Sequence, residues 1–259
     1  MPIHPTAIIS SKAELAEDVT VGAYSIIGPD VSIGLGTEVG HHIVIEGKTT
    51  IGENNRIFPF VSLGLSPQDI TYAGEETRVI IGNNNIIREN VTIHRGTSRG
   101  EGITRIGNGV FLMAYVHVAH DCQIGNGVLM ANTATLGGHV EVGECAVVGG
   151  IVAVHQFVRV GEYSCIGGFS AVRMDISPYM LATGPAGAKL YGANLIGLKR
   201  NGFSEKSIHA IKKFYRIFFR SGLALKEAVQ KVREEIEPLP EVEKLIEFVS
   251  FSSQRGLTR

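Results

Sequence analysis

The feature that most restricts the fold of this chain is a repeat of six residues. From Ile3, steps of six reach Ile9, Leu15, Val21, Ile27, Ile33, Val39, Ile45, Ile51, Ile57 and Leu63, and every step lands on an aliphatic side chain. The frame breaks over residues 66–78, returns at Ile81, Ile87 and Ile93, breaks again over 99–105, and then runs from Ile106 to Val172. A period of six fits neither an amphipathic helix nor a meander of irregular hairpins. It fits a β-solenoid in which each hexapeptide supplies one short strand and one corner. The position four after the aliphatic residue is also apolar, as in Val19, Val31, Ile43, Val61, Val116, Val128, Val140 and Val152, so two side chains per hexad point inward. Three hexads close a triangular coil, and residues one coil apart stack at about 4.8 Å, the spacing of adjacent strands. Glycine often follows the aliphatic residue, as at Gly22, Gly34, Gly52, Gly125, Gly143 and Gly161, and glycine or asparagine is expected at the bend, where a positive φ is tolerated.

The two breaks are expected to loop out of the prism, and loops on a rigid scaffold are where binding residues gather. Beyond residue 186 the spacing becomes helical. Ile208, Ile211, Phe214, Tyr215 and Phe218 form one stripe between a Ser204 N-cap and a Gly222 stop signal, read as ordinary helix core. Further helices are expected over 223–236 and 242–251, around Glu237-Pro238-Leu239-Pro240. The expected organisation is therefore a solenoid over 1–186 and a helical C-terminal domain over 187–259. Charge divides in the same way. Residues 1–188 carry 10 Lys+Arg against 17 Asp+Glu, and residues 189–259 carry 14 against 8. A basic tail on an acidic body suggests either an anionic partner or a solvated helical surface.

Three cysteines without a CxxC pair or an even framework point to a reducing compartment. With no targeting segment and no apolar run of about 20 residues, the expectation is a cytoplasmic protein without an integral membrane segment. No nucleic-acid partner is expected.

Histidines cluster late in the solenoid, at His117, His120, His139 and His155. His120, Gly138 and Gln156 each stand third in a hexad and are separated by three hexads each time, so they stack in one column, with Asp121, His139 and His155 beside them. Such a patch suits acyl transfer to an alcohol. A neutral imidazole can take the proton of an attacking hydroxyl, and a glycine amide can reach a developing oxyanion without hindrance. No serine or cysteine with a nucleophile signature stands beside it, which favours direct transfer over an acyl-enzyme. The competing reading makes these histidines surface residues between stacked subunits. A zinc reading needs three converging histidines, and the position five after His117, where a related carbonic anhydrase family has a ligand, is Cys122, which faces inward. Neither a metal nor a cofactor is expected.

The tandem hexads resemble the hexapeptide-repeat transferases, and that resemblance implies a left-handed coil: an all-β left-handed parallel β-helix with a C-terminal α-helical domain. More specific stretches are Gln68-Asp69, Tyr72-Ala73-Gly74-Glu75, Ile87-Arg88-Glu89, 91–97 (VTIHRGT), Ala119-His120-Asp121-Cys122, 153–157 (AVHQF) and Gly197-Leu198-Lys199-Arg200. Together they resemble the UDP-N-acetylglucosamine O-acyltransferase family over nearly the whole chain. The resemblance implies transfer of an (R)-3-hydroxyacyl chain from acyl carrier protein to the glucosamine 3-hydroxyl of UDP-N-acetylglucosamine, the first step of lipid A synthesis, in a homotrimer with sites between subunits. It implies His120 as general base, Asp121 as its orienting partner and the Gly138 amide as oxyanion donor. Asp69 is implied to contact the acyl chain or sugar; His117, His139, His155 and Gln156 to line the acceptor site; and Asn194 and Arg200 to hold the nucleotide. Gly168 matches the family's chain-length stop, where glycine implies an open groove and a longer acyl chain. The chain departs from the pattern at Thr71, where some members have lysine, at Pro185-Ala186-Gly187-Ala188, and at Asn201, often a second arginine. An N-acyltransferase acting on an amino sugar nucleotide stays open beside the O-acyl reading, although that relative normally has a uridine-binding domain before its solenoid and here the hexads begin at Ile3. A non-enzymatic scaffold is the third reading.

Overall fold

The computed structural model describes residues 3–251 and 253–259; Met1 and Pro2, at the start of the expected solenoid, and Ser252 lie outside the described residues. Twenty-seven short strands form three sheets of nine, eight and ten strands, and successive strands pass from one sheet to the next. Within each sheet, neighbours are the next strand but two and run parallel, except at the end of the third sheet, where Cys165–Ile166 pairs in parallel with Met180–Thr183, the next strand but one, and Met180–Thr183 pairs antiparallel with Lys189–Ala193. His117 pairs with Thr135, Thr135 with Ala153 and Ala153 with Ala171, so along the first face each rung is one coil of three hexads. The fold is a left-handed parallel β-helix followed by helices.

Physically, each strand is too short to bury a face alone, and stability comes from stacking. The inward residues Val118, Leu136, Val154 and Val172 lie in one buried column, and corresponding columns run beneath the other faces. Each such side chain contributes about 1.5–3 kcal/mol by leaving water.

Glycine or asparagine stands at the bend with positive φ in several hexads, as expected, at Gly36, Asn54, Asn84, Asn90, Gly109 and Gly127, but the glycines directly after the aliphatic residue have another role. None of Gly22, Gly34, Gly52, Gly125, Gly143 and Gly161 has a positive φ; instead a Cβ at any of them would come within 2.8 Å of the next coil. Glycine is there because consecutive rungs touch. The left-handed residue comes two positions later and is often bulky: Tyr24, Cys145, Tyr163 and, at other corners, Phe60, Thr133 and Ile151.

Both insertions leave the register intact. Arg78 pairs with Lys48 and Ile103 with Arg78, each across more chain than a regular coil contains, so both loops are absorbed as extra length and the rungs continue. The second loop occupies 95–102 rather than 99–105, because the strand Ile103–Ile106 already belongs to the coil. Its inward position is filled by Thr104, fully buried, which hides the strand from an aliphatic pattern.

Strands extend to Ala193, past the expected boundary at 186. Four helices follow: α1 (Leu195–Arg200), α2 (Glu205–Arg220), α3 (Leu225–Glu235) and α4 (Pro240–Ser250). The Ser204 hydroxyl accepts from the Ser207 amide at 3.0 Å, the N-cap anticipated for α2. Arg159 ties the last rungs to α4, pairing with the buried Asp175 at 2.8 Å and stacking on Phe248 and Phe251. Gly143→Ala, whose Cβ would sit 2.5 Å from the Glu162 amide nitrogen, is expected to destabilise by about 1–3 kcal/mol, read as a lowered Tm.

Candidate active site

The corner that follows the strand His117–Val118 recurs one rung up after Thr135–Leu136 and again after Ala153–Val154. Asp121, His139 and Phe157 occupy its left-handed position, with φ of 61°, 60° and 64°. This common backbone turns their side chains to one edge, where His139 stacks on Phe157 with centroids 4.5 Å apart and planes 7° from parallel. His120 and Gly138, one position earlier, also stack. A Cβ on Gly138 would lie 2.4 Å from His120 Cε1, so only glycine leaves room for the imidazole against the next coil. The Gly138 carbonyl accepts from the Phe157 amide at 3.0 Å, while its own N–H has no acceptor among the described residues.

Asp121 is the best-anchored group of the site. Its carboxylate faces His120 Nδ1 at 2.9 Å and accepts from the Thr97 amide at 3.0 Å and the Thr97 hydroxyl at 2.7 Å. Its own amide donates to Thr104 Oγ1 at 2.8 Å. Burial opposes the charged form, but the hydrogen bonds from His120 and Thr97 outweigh it and hold the Asp121 pKa below its ordinary value. The anion therefore selects the tautomer with hydrogen on His120 Nδ1, which leaves the Nε2 lone pair free. Gly96 and Gly100 let the second loop wrap this carboxylate, since a Cβ on either would fall within 2.8 Å of Asp121 Oδ1.

Three other histidines of this wall have lowered pKa values. Burial, then the nearby His117 and His120, lowers the His94 pKa to about 4. Burial followed by His120 lowers that of His117, whose Nδ1 lies 2.7 Å from Thr92 Oγ1. His139 is lowered chiefly by burial, and its Nε2 stands 3.7 Å from Asp121 Oδ2. Asp69, in the first loop, is close enough to interact electrostatically with both His120 and His139. Its Oδ1 accepts from the Thr71 amide at 2.8 Å and hydroxyl at 2.7 Å, the bonds that chiefly lower its pKa, so Thr71, read from sequence as a departure, is the residue that orients it. The two loops are stitched together by Ser98 donating to Glu75 and by Arg95 donating to the Tyr72 hydroxyl.

His120, Asp121 and His139 offer ligand atoms within 4.8 Å of one another, the one group of metal-ligating type among the described residues. Thr97 and His120 already engage both Asp121 oxygens, while His139, at 3.7 Å, is not hydrogen-bonded to them.

The remaining expected residues lie apart within a single chain. His155 and Gln156 are exposed two rungs above His120, and the His155 ring turns to the Gln156 carbonyl at 3.2 Å. Gly168 lies exposed at the corner after Cys165–Ile166, across the first face. Asn194 caps α1, accepting from the Gly197 amide at 3.1 Å and donating to the Tyr163 carbonyl at 2.9 Å at the third corner; Arg200 ends that helix, exposed. Sequence reasoning missed the roles of Thr97, Thr71, Phe157 and His94. Only Phe157 was accessible to arithmetic, because it stands one coil after His139.

Comparison with known proteins decides the family. A protein from Syntrophobacter fumaroxidans named acyl-[acyl-carrier-protein]--UDP-N-acetylglucosamine O-acyltransferase is 60% identical over 259 residues, covering 100% of both chains. The chain belongs to the UDP-N-acetylglucosamine O-acyltransferase family. A Thermodesulfovibrio yellowstonii protein of the same name is 56% identical across 99% of both chains. Residues 175–258 match the family described as Udp N-acetylglucosamine O-acyltransferase; Domain 2, and residues 103–138 the bacterial transferase hexapeptide. The structure of LpxA from Acinetobacter baumannii superimposes with a TM-score of 0.95 at 43% identity, covering 99% of each chain.

The depressed histidines set a direction for acid stability. Between the ordinary pKa of 6.5 and about 4, the unfolded chain takes a proton at residue 94 that the folded chain refuses, so stability falls as pH drops through that window. For His94 alone the loss reaches about 3 kcal/mol. Denaturant titrations at pH 7 and 4.5 are expected to show it, with a smaller difference for His94→Gln.

Proposed function

We propose that the chain transfers an (R)-3-hydroxyacyl group from acyl carrier protein to the glucosamine 3-hydroxyl of UDP-N-acetylglucosamine, the reaction that opens lipid A synthesis. The observation that carries this reading is the His120–Asp121 pair packed against the Gly138 amide, in a chain that matches so named relatives end to end. His120 Nε2 takes the proton of the sugar hydroxyl as its oxygen attacks the thioester carbonyl. The oxyanion receives the Gly138 N–H, and Asp121 holds the imidazolium that forms. Collapse expels the carrier thiolate, to which His120 returns the proton, so no acyl-enzyme and no cofactor are needed. Asp69, His117, His139, His155 and Gln156 line the acceptor and acyl site in this reading. An open groove at Gly168 admits a long acyl chain, and Asn194 and Arg200 hold the nucleotide.

A homotrimer with sites between subunits is part of the same proposal. His120, Gly168 and Asn194 stand at the three different corners of one prism, so one chain does not assemble them into one pocket. Neighbouring copies around a threefold axis would bring unlike corners together.

For the donor, α2 and α3 form a groove of about 500 Å³ lined by His209, Lys212, Lys213, Arg216 and Lys231. Glu235 pairs with Lys213 and Lys231, leaving the exposed Lys212 and Arg216 as the basic residues for an acidic carrier protein. A cytoplasmic location fits the three free cysteines, and no helix among the described residues is long and apolar enough to cross a membrane.

The reading is tested by transfer from 3-hydroxyacyl carrier protein to UDP-N-acetylglucosamine and to its 3-amino analogue. Preferential acylation of the amino sugar would favour the N-acyltransferase. His120→Ala is expected to lose at least about 10²-fold in kcat while the assembly persists; retained turnover would remove it as the base. Lys212→Glu with Arg216→Glu is expected to raise the KM for the carrier protein about tenfold, less at high salt, with the KM for the nucleotide sugar unchanged.

A further inference from the structure

The chain's last residues return to the catalytic corner. Asp121, His139 and Phe157 form a column with one member per coil, and the next member is Asp175. There the tail docks: the Asp175 amide donates to the Gly256 carbonyl at 2.9 Å, the Thr258 amide to the Asp175 carbonyl at 2.9 Å, and the buried Thr258 hydroxyl to the Met174 carbonyl at 3.1 Å. This anchoring delivers Arg255 to the rung below. Its Nε donates to the Gln156 carbonyl at 2.8 Å and its guanidinium stands over the Phe157 ring, 5.9 Å from the centroid.

The Gln156 carbonyl belongs to the peptide that leads into Phe157, whose φ of 64° is a strained value for a phenylalanine. That backbone conformation places the Phe157 ring flat on His139, which in turn meets the His120 ring edge-on at 5.1 Å. One hydrogen bond and one cation–π contact therefore clamp the ring that forms the back wall of His139. We infer that Arg255 is a positioning residue of the acceptor site, acting through Phe157 to hold the His139 imidazole in place. Its kinetic consequence rests on the acyl-transfer reading; its structural consequence does not.

Two measurements on the full-length assembled protein separate the two. Arg255→Ala is expected to raise the KM for UDP-N-acetylglucosamine about tenfold, equivalent to about 1.4 kcal/mol, with kcat and the KM for the carrier-linked donor within about twofold of wild type. Arg255→Lys, which keeps the cation but loses the planar fork, is expected to fall between them. Independently of any substrate, carbethoxylation of His139 by diethyl pyrocarbonate, followed by mass spectrometry against the exposed His209, is expected to accelerate several-fold in Arg255→Ala. Thr258→Val loosens the anchoring that delivers Arg255 and is expected to shift the KM and the His139 rate in the same direction, but less far. Gly143→Ala, which strains another corner, is expected to lower the Tm while leaving both unchanged. Wild-type KM and His139 reactivity in Arg255→Ala overturn the inference, as does Gly143→Ala shifting both as far as Arg255→Ala does. An accelerated His139 in a protein that does not acylate UDP-N-acetylglucosamine supports the clamp and rejects only the proposed reaction.

Discussion

Everything in this molecule depends on the contact between one coil and the next. Hydrogen bonds and buried aliphatic side chains repeat once per coil, and the glycines after each inward residue let the rungs meet. A rigid stack of this kind converts sequence distance into spatial distance with little freedom. Positions separated by three hexads become neighbours, and positions separated by one or two hexads are sent to other faces. The stack also supplies something that an isolated strand lacks, a row of corners in which histidine, aspartate and phenylalanine are all held in the left-handed region.

The candidate site uses this regularity and then departs from it. His120 against Gly138 and His139 on Phe157 are direct products of the rung spacing. The anchoring of Asp121 is not, because Thr97 reaches it from a loop that interrupts the repeat. The second loop wraps the carboxylate and the first presents Asp69 near the imidazoles, so the regular part of the chain places His120 and the irregular part anchors the Asp121 carboxylate beside it. The lowered pKa values of His94, His117 and His139 follow chiefly from burial in this crowded wall.

The three faces also bear on the proposed homotrimer. The acid–base pair, the position implied to limit acyl length and the cap of α1 stand at separate corners. A prism cannot fold its own corners together. Evolution of a site on such a scaffold therefore depends on neighbouring copies or on appended chain, and the tail that returns to Phe157 is an instance of the second solution within this molecule.

By itself the sequence determined the solenoid, its rung height, the existence of both loops, the N-cap of α2 and the column of His120, Gly138 and Gln156. These are legible because a six-residue period and a rung of three hexads are properties of spacing alone. The tertiary structure decided what spacing does not encode. Close coil contact, rather than bend geometry, explains the repeated glycines, and Thr104 continues a coil that its polarity concealed. Thr97 reaches Asp121, Thr71 reaches Asp69 and Arg255 reaches Gln156 across lengths of chain unrelated to the repeat. Loops and tails close by side-chain hydrogen bonds whose partners have no periodic signature, so their contribution to the site becomes visible only when the chain is folded.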